Sequence, residues 1–229
     1  MIRLFTKAPL GMKQVVELSD NQVHYLLHVM RQKEGDQVHL FNGCDGEWNG
    51  IIESLNKKQG IVRLEKLSRS QEKEPQVVLC PALIKKENMD LVFQKATELG
   101  VSEIFPLLTE RTVVPKLNLA RAQSIVTEAA EQCERLSVPE VHEPVKIRDL
   151  WHVLPSGTQV ICLAERGQSV GKICANFMPA FCVGPEGGWT EKELTLFEKN
   201  EAVFWHFGHT ILRAETASIV AMACFQNKV

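Results

Sequence analysis

Chemistry is most concentrated in two stretches towards the C-terminal end of the 229-residue sequence. The first is Gly184-Pro185-Glu186-Gly187-Gly188-Trp189-Thr190-Glu191. Its three glycines within five residues allow positive φ and close approach of backbone to a ligand. There is no Gly-Lys-Ser/Thr, so it is not a phosphate loop of the Walker type, and the spacing of a dinucleotide fingerprint is missing. A tight strand-to-helix turn fits the same residues, with Thr190 as cap and Glu193 completing a capping box. The second stretch runs from Phe207 to Ala217 and carries Ile211, Leu212, Arg213 and Glu215. Apolar residues in a connection either plug the core or wall an apolar ligand such as an adenine ring. Glu215 suits a helix N-terminus whatever else it does; Arg213 has no such structural reason.

Further polar groups lie elsewhere. Glu165, just past an apolar strand, suits a ribose hydroxyl or is a solvated loop charge. Lys95 and Glu98 share a helix face, and Glu128, Gln132 and Arg135 form an i, i+4, i+7 stripe that is either functional or a solvated face. His24 and His28 have the spacing of a metal pair without HExxH or a third ligand nearby, so they edge the fold or touch a binding partner. Trp48, Trp151 and Trp205 read as packing residues, and Lys57-Lys58 as a hairpin end.

The elements that must hold these groups fall into two styles. Before residue 70, short β segments (Val38–Phe41, Gly50–Leu55 and Ile61–Leu67) alternate with turn signals at Asn42-Gly43 and Asp45-Gly46. One helix, capped by Ser19 or Asp20, carries Val23, Leu26, Leu27 and Met30. This is the pattern of a small β-barrel. Ser68–Pro75 reads as a linker. From Gln76 onwards strands and helices alternate: strand Val77–Leu83, helix Met89–Leu99 ended by Gly100, strand Ile104–Leu108 and a long helix Leu119–Arg135. Then follow strand Gln159–Ala164, a short helix near Val170–Phe177, strand Ala180–Gly184, helix Glu191–Lys199, strand Val203–Phe207 and helix Glu215–Gln226. That alternation predicts an α/β domain on a mostly parallel sheet, whose ligands sit outside the carboxyl ends of the strands.

Composition narrows the function classes. Hydrophobic residues at 45% and charged residues at 24% exclude a disordered or fibrous chain. No apolar run approaches the ~20 residues of a membrane span, and the N-terminal residues carry no export signal, which points to the cytoplasm. Seven scattered cysteines without CxxC fit reduced core thiols. Residues 1–75 hold 11 basic and 10 acidic side chains and residues 76–229 hold 15 and 18. RNA binding would therefore need a local patch rather than an overall field.

GPEGGWTEKE at 184–193 and FGHTILRAETA at 207–217 resemble the signature of the SPOUT-class RNA methyltransferases. QKATELGV at 94–101, TERTV at 109–113 and EAAEQCER at 128–135 narrow the resemblance to the bacterial 16S ribosomal RNA uracil-N3 methyltransferases. RLF at 3–5 and HYLLHVMRQKEGD at 24–36 fit that family's PUA-like barrel, so the likeness runs the full chain. Cys133 and Trp189 depart from it, standing where Ser and Phe or a similar residue are expected.

The resemblance implies a PUA-like β-barrel over residues 1–70 that binds RNA, and a SPOUT α/β domain with a trefoil knot over residues 76–229. That second domain would form a homodimer and bind S-adenosyl-L-methionine. The cofactor residues would be Leu163, Ala164 and Glu165, then Gly184, Glu186, Gly187 and Gly188, then Phe207, Gly208, Ile211, Leu212, Glu215, Thr216 and Ala217. Arg3, Arg31, Lys95, Arg111 and Gln132 would contact RNA, with no metal and no membrane. The substrate would be 16S ribosomal RNA within the assembled small subunit, at uridine 1498.

Methylating N3 of uridine requires loss of its proton or stabilisation of charge on O2 and O4. Glu128 and Glu215 are candidate bases; Arg213, Arg135 and Arg111 are candidate charge stabilisers, with Arg213 foremost. Base pairing hides N3, so the target must be unpaired or splayed out. Two other readings stand beside this one: the same fold methylating a ribose 2′-hydroxyl or another base, and a non-enzymatic RNA-binding protein.

Overall fold

The structure, a computed structural model, describes residues 1–114, 116–164, 177–207 and 209–226. It divides into two compact units, one of residues 1–73 with 130–138, the other of residues 74–129 with 139–229. The fold is α/β, with a mixed sheet in the first unit and a parallel sheet in the second.

In the first unit β1 (Arg3–Phe5), β2 (Val15–Glu17), β3 (Gln37–Phe41), β4 (Glu47–Asn56) and β5 (Gln59–Arg69) form one sheet in the order β1-β3-β4-β5-β2. Only β1 and β3 are parallel. Register shifts along β4 and β5 mark bulges, which bend a sheet and increase its twist. Leu4, Val16, Leu26, Val38, Leu40, Ile52, Val62 and Leu64 share the core. The turn before β4 uses Gly46 at φ +80°, where a Cβ would run into the Arg69 carbonyl. The strand β5 outlasts its expected end and reaches Arg69, paired to Glu47, so the polar connection starts at Ser70.

Ser19 caps α1 (Asp20–His24) in a full capping box with Gln22. The helix then widens into a π-helical turn over Tyr25–Val29, closed by Met30 N–H donating to the Tyr25 carbonyl at 3.0 Å and by Arg31 at φ +52°. His24 and His28 lie on this segment with ring centroids 4.7 Å apart. Among the described residues no three His, Cys, Asp or Glu side chains cluster as metal ligands.

Arg3 overturns one expectation. It is only 6% exposed and meets Glu47, itself 3% exposed, through Nε at 2.6 Å. Its remaining donors cap a helix end: Nη1 donates to the carbonyls of Ala130 and Glu131, and Nη2 to that of Arg135. The guanidinium lies over the Phe41 ring, 4.5 Å from the centroid. A fork so engaged is a structural strut rather than a phosphate contact, and it supplies the orphan carbonyls of a helix C-terminus with donors. Phe5 N–H donates to Glu131, and Phe41 packs on Ala130 and Leu136, which is why residues 130–138 belong to this unit.

The second unit contains β6 (Val78–Pro81), α2 (Lys86–Glu98), β7 (Glu103–Ile104), β8 (Leu107–Leu108) and most of α3 (Leu119–Gln132). After residue 138 come β9 (Glu140–Val141), β10 (Val145–Lys146) and a 3-10 turn (Ile147–Asp149) running into α4 (Leu150–Val153). The chain continues through β11 (Thr158–Leu163), β12 (Met178–Val183), α5 (Glu191–Lys199), β13 (Val203–Trp205) and α6 (Ala214–Gln226). Among the described residues the main sheet has the order β13-β11-β12-β6-β7-β9, all parallel. Cys80, Cys182 and Cys162 stand in register across β6, β12 and β11, fully buried. Burial pushes the thiols of Cys80 and Cys162 up, so both remain protonated apolar packing groups.

Several boundaries differ from those expected of the sequence. The single strand expected over Ile104–Leu108 is two: Pro106 carries no N–H for a ladder, β7 stays in the main sheet, and β8 turns to pair with β10. The helix expected to reach Arg135 stops at Gln132, because Glu134 adopts φ +63°. Arg135 therefore does not continue the stripe of Glu128 and Gln132. The short helix expected near Val170–Phe177 lies outside the described residues save Phe177. Gly100 does end α2, at φ +85°, with the Gly100 and Val101 amides donating to the Thr97 and Ala96 carbonyls as in a Schellman motif.

Burial alone would raise the Glu47 carboxyl, but Arg3 and His39 outweigh it and hold it below the ordinary carboxylate value. A folded-state value below the unfolded one stabilises above the unfolded value, near pH 4.5, and that contribution disappears as pH falls through the folded value. Glu47→Gln is expected to destabilise the first unit by about 3 kcal/mol in urea unfolding at pH 7. Its deficit should shrink as the pH is lowered below about 4.5. An equal deficit at pH 7 and pH 3 would contradict the ion-pair account.

Candidate active site

The register of three parallel strands builds the site. Leu163, the last residue of β11, pairs with Val183 at the end of β12 and with Trp205 at the end of β13. The Ala164 N–H donates to the Trp205 carbonyl at 2.9 Å, carrying the alignment one residue further. The carboxyl ends of the three strands therefore lie side by side. Between them lies a cavity of about 200 Å³. Leu163, Ala164, Val183, Trp205 and Phe207 give it an apolar floor, and Ile211, Leu212, Ala214 and Ala217 a second apolar wall. Gly184, Pro185, Glu186, Gly188 and Trp189 form the opposite side. The polar lining is sparse, with Glu186, His206, Thr210 and Arg213 supplying side-chain donors and acceptors.

The 184–190 segment is held from within and from outside. The Gly188 N–H donates to the Pro185 carbonyl at 2.8 Å, and Gly188 takes φ +71°. The Trp189 indole donates to the Leu163 carbonyl at 2.8 Å, tying this turn to the end of β11. Its ring lies against Gly184, where a Cβ would come within 3.1 Å of it. Thr190 caps α5, and Glu193 returns the bond in the capping box that the sequence predicts. Glu193 is 3% exposed and also binds a second partner, because its other oxygen accepts the Glu110 N–H at 2.9 Å. This fastens the turn after β8 to the start of α5, and Arg111 on that turn donates through Nη1 to the Gly187 carbonyl.

Of the residues expected at the cofactor, Leu163, Ala164, Gly184, Glu186, Gly188, Phe207, Ile211, Leu212 and Ala217 line this one cavity, as does Arg213. Gly187 and Thr216 flank it, and both are exposed. Glu165 and Gly208 lie outside the described residues. Glu215 is 8% exposed, is not part of the lining, and keeps a buried oxygen without a hydrogen-bond partner among the described residues. Glu128 is exposed on α3, away from the lining. Arg135 lies in the other unit, in a turn beyond α3, with Nη2 donating to Ser137. Lys95 is engaged with Glu98 at 2.7 Å; Gln132 and Arg31 are exposed.

Sequence reasoning missed Val183, Trp189, Trp205 and His206 in the lining, and did not single out Pro185, Thr210 and Ala214 within the stretches it placed at the cofactor. His206 matters most, because an imidazole can accept or return a proton near neutral pH. The strand expected over Val203–Phe207 includes it, whereas β13 ends at Trp205 and leaves His206 at the strand's carboxyl end. The cavity thus pairs a largely apolar lining with one arginine fork and one imidazole.

An RNA methyltransferase domain family matches residues 71–226, and an RNA methyltransferase PUA domain family matches residues 18–65. The chain is 32% identical to the ribosomal RNA small subunit methyltransferase E of Rickettsia conorii over 96% of its own length and 93% of the relative's. The chain belongs to the ribosomal RNA small subunit methyltransferase E family. The Synechocystis member of that family is 35% identical over 91% of this chain and 71% of its own. The crystal structure of the Neisseria gonorrhoeae family member bound to S-adenosyl methionine superposes with a TM-score of 0.90. That chain is 31% identical, with 100% of this chain and 98% of that one covered.

Glu193→Gln should lower stability by about 1–3 kcal/mol, since an amide N–H₂ replaces one of two carboxylate oxygens that each accept a half-buried backbone N–H. Thermal denaturation followed by tryptophan fluorescence would read both the loss and the disturbed Trp189 environment. A wild-type melting curve would show that the buried carboxylate does not hold the turn.

Proposed function

We infer that this chain transfers the methyl group of S-adenosyl-L-methionine to N3 of a uridine in 16S ribosomal RNA, at uridine 1498. The observation that carries this reading is the cavity at the aligned ends of β11, β12 and β13, with Arg213 in its lining. Its apolar walls suit an adenine ring, and its polar lining suits the methionine end and the reacting base. When bound there, S-adenosyl-L-methionine would supply a methyl group already activated on a sulfonium, with no need of a metal.

The chain's own residues would do the rest. Arg213 would direct its planar fork at uracil O2 or O4, where negative charge develops as the N3 proton leaves. His206 is placed to take that proton, a role for which Glu215 and Glu128 stand less well because neither lines the cavity. As the N3–C bond forms and the C–S bond breaks, the sulfonium becomes a neutral thioether. The first unit would hold the RNA, with Arg31 on its exposed turn and Arg3 acting as its internal brace.

Three further parts of this reading concern assembly. A trefoil-knotted connection in the second unit is part of the reading that the family resemblance implies. A homodimer formed by the second unit belongs to the same reading, as the family resemblance implies. The near-neutral charge of the chain favours 16S RNA within the assembled small subunit, in the cytoplasm, over naked RNA.

Labelled S-adenosylmethionine incubated with small subunits lacking the modification should give 3-methyluridine on nucleoside mass spectrometry. A ribose-methylated nucleoside would keep the cavity and overturn the base chemistry. Cofactor binding without any transfer would point to a missing partner or a different RNA, whereas no cofactor binding would favour a non-enzymatic RNA-binding protein. Arg213→Ala should lower the single-turnover rate by about 10²-fold at saturating RNA and cofactor; an unchanged rate would remove Arg213 from the chemistry.

A further inference from the structure

The turn Pro185–Gly188 has two sides. Gly184, Glu186 and Gly188 face the cavity, whereas Gly187 is exposed on the outer side and does not line it. Arg111 reaches that outer side, its Nη1 donating to the Gly187 carbonyl. The arginine stem also lies flat along the glycine. A Cβ built at Gly187 would sit 3.2 Å from Arg111 Cδ and 3.5 Å from its Cβ. The lack of a side chain at 187 is therefore what lets the arginine approach.

Arg111 is itself on a fixed platform. Thr109 N–H donates to Thr112 Oγ1 at 2.9 Å and Thr112 N–H returns to the Thr109 carbonyl at 3.2 Å, closing a four-residue turn. Glu110 N–H is anchored to buried Glu193 at 2.9 Å. A guanidinium presented from so constrained a backbone loses less freedom on forming its bond than one on a loose loop.

We propose that Arg111 is a positioning residue that holds the 184–188 turn in the shape the methyl donor requires, acting from behind the cavity wall without touching the donor. This rests on the assignment of the cavity to S-adenosylmethionine. It also reassigns a cation that the sequence places both among the RNA contacts and among the candidate charge stabilisers. The carbonyl of Gly187 sets the peptide plane that precedes Gly188 at φ +71°, so freeing it would let Gly188 and Glu186 leave the cavity surface.

The test uses the full chain, with S-adenosylmethionine as the probe in calorimetry and small subunits as the methyl acceptor. Arg111→Met keeps an apolar stem and removes the donor. It should weaken cofactor binding about tenfold, the size of one hydrogen bond from a charged donor. The single-turnover rate at saturating cofactor should stay within about twofold of wild type, as should the KM for small subunits. Arg111→Lys, which restores one cationic donor, should recover part of the affinity. A purely structural role would lower Tm without this split between cofactor affinity and rate. Unchanged cofactor affinity in both variants, or a defect confined to the KM for small subunits, would overturn the proposal. If wild-type protein bound no S-adenosylmethionine, the methyl-donor reading would fall, and this inference with it.

Discussion

In-register pairing of β11 with both β12 and β13 ends three strands on one line, and each wall of the cavity is a consequence of that line. The strands are buried on both faces, so they read as nearly continuous apolar runs. A slip of one residue would exchange the faces of Cys162 and Leu163 and displace the row of core thiols. The register thus sets where Leu163, Val183 and Trp205 end, and with them where the connections leave the sheet. Trp189 and Glu193 then act on backbone that already lies within their reach.

A buried charge pair sets the first unit in a comparable way. Arg3 and Glu47 are both withdrawn from water, a costly arrangement unless every donor is matched. The matching comes from His39 on one side and from three carbonyls of residues 130–135 on the other. In the second unit charged side chains serve differently. Glu193 couples one turn to the start of a helix, while Arg213 is left exposed where it can meet a ligand.

Local rules made much of this legible. The Thr190 cap with Glu193, the Ser19 cap and Gly100 at the end of α2 all depend on groups within a few residues of one another. The strand-end rule found most of the cavity, because apolar runs followed by glycines, charges and connections are visible in one dimension. What escaped depended on partners far along the chain. Arg3 looked like a surface cation because Glu47 and the carbonyls that enclose it lie 44 to 132 residues away. Pro106 sits within an apolar run whose splitting only the β8–β10 pairing explains. Glu134 adopts a backbone conformation that its residue type does not announce. His206 is hidden in the sequence because the apolar run around it reads as strand as far as Phe207, whereas β13 ends at Trp205.

The membership of residues 130–138 in the first unit gives the chain an order of assembly that its linear map conceals. The polar connection after β5 looks like a place to cut, yet a fragment ending there would retain Arg3 and Glu47 and lose the three carbonyls that complete the arginine's shell. Those carbonyls arrive only after β6, α2 and α3 have been synthesised. During translation the N-terminal sheet must therefore wait, with a charged pair incompletely enclosed, for a segment that lies within the sequence of its neighbour.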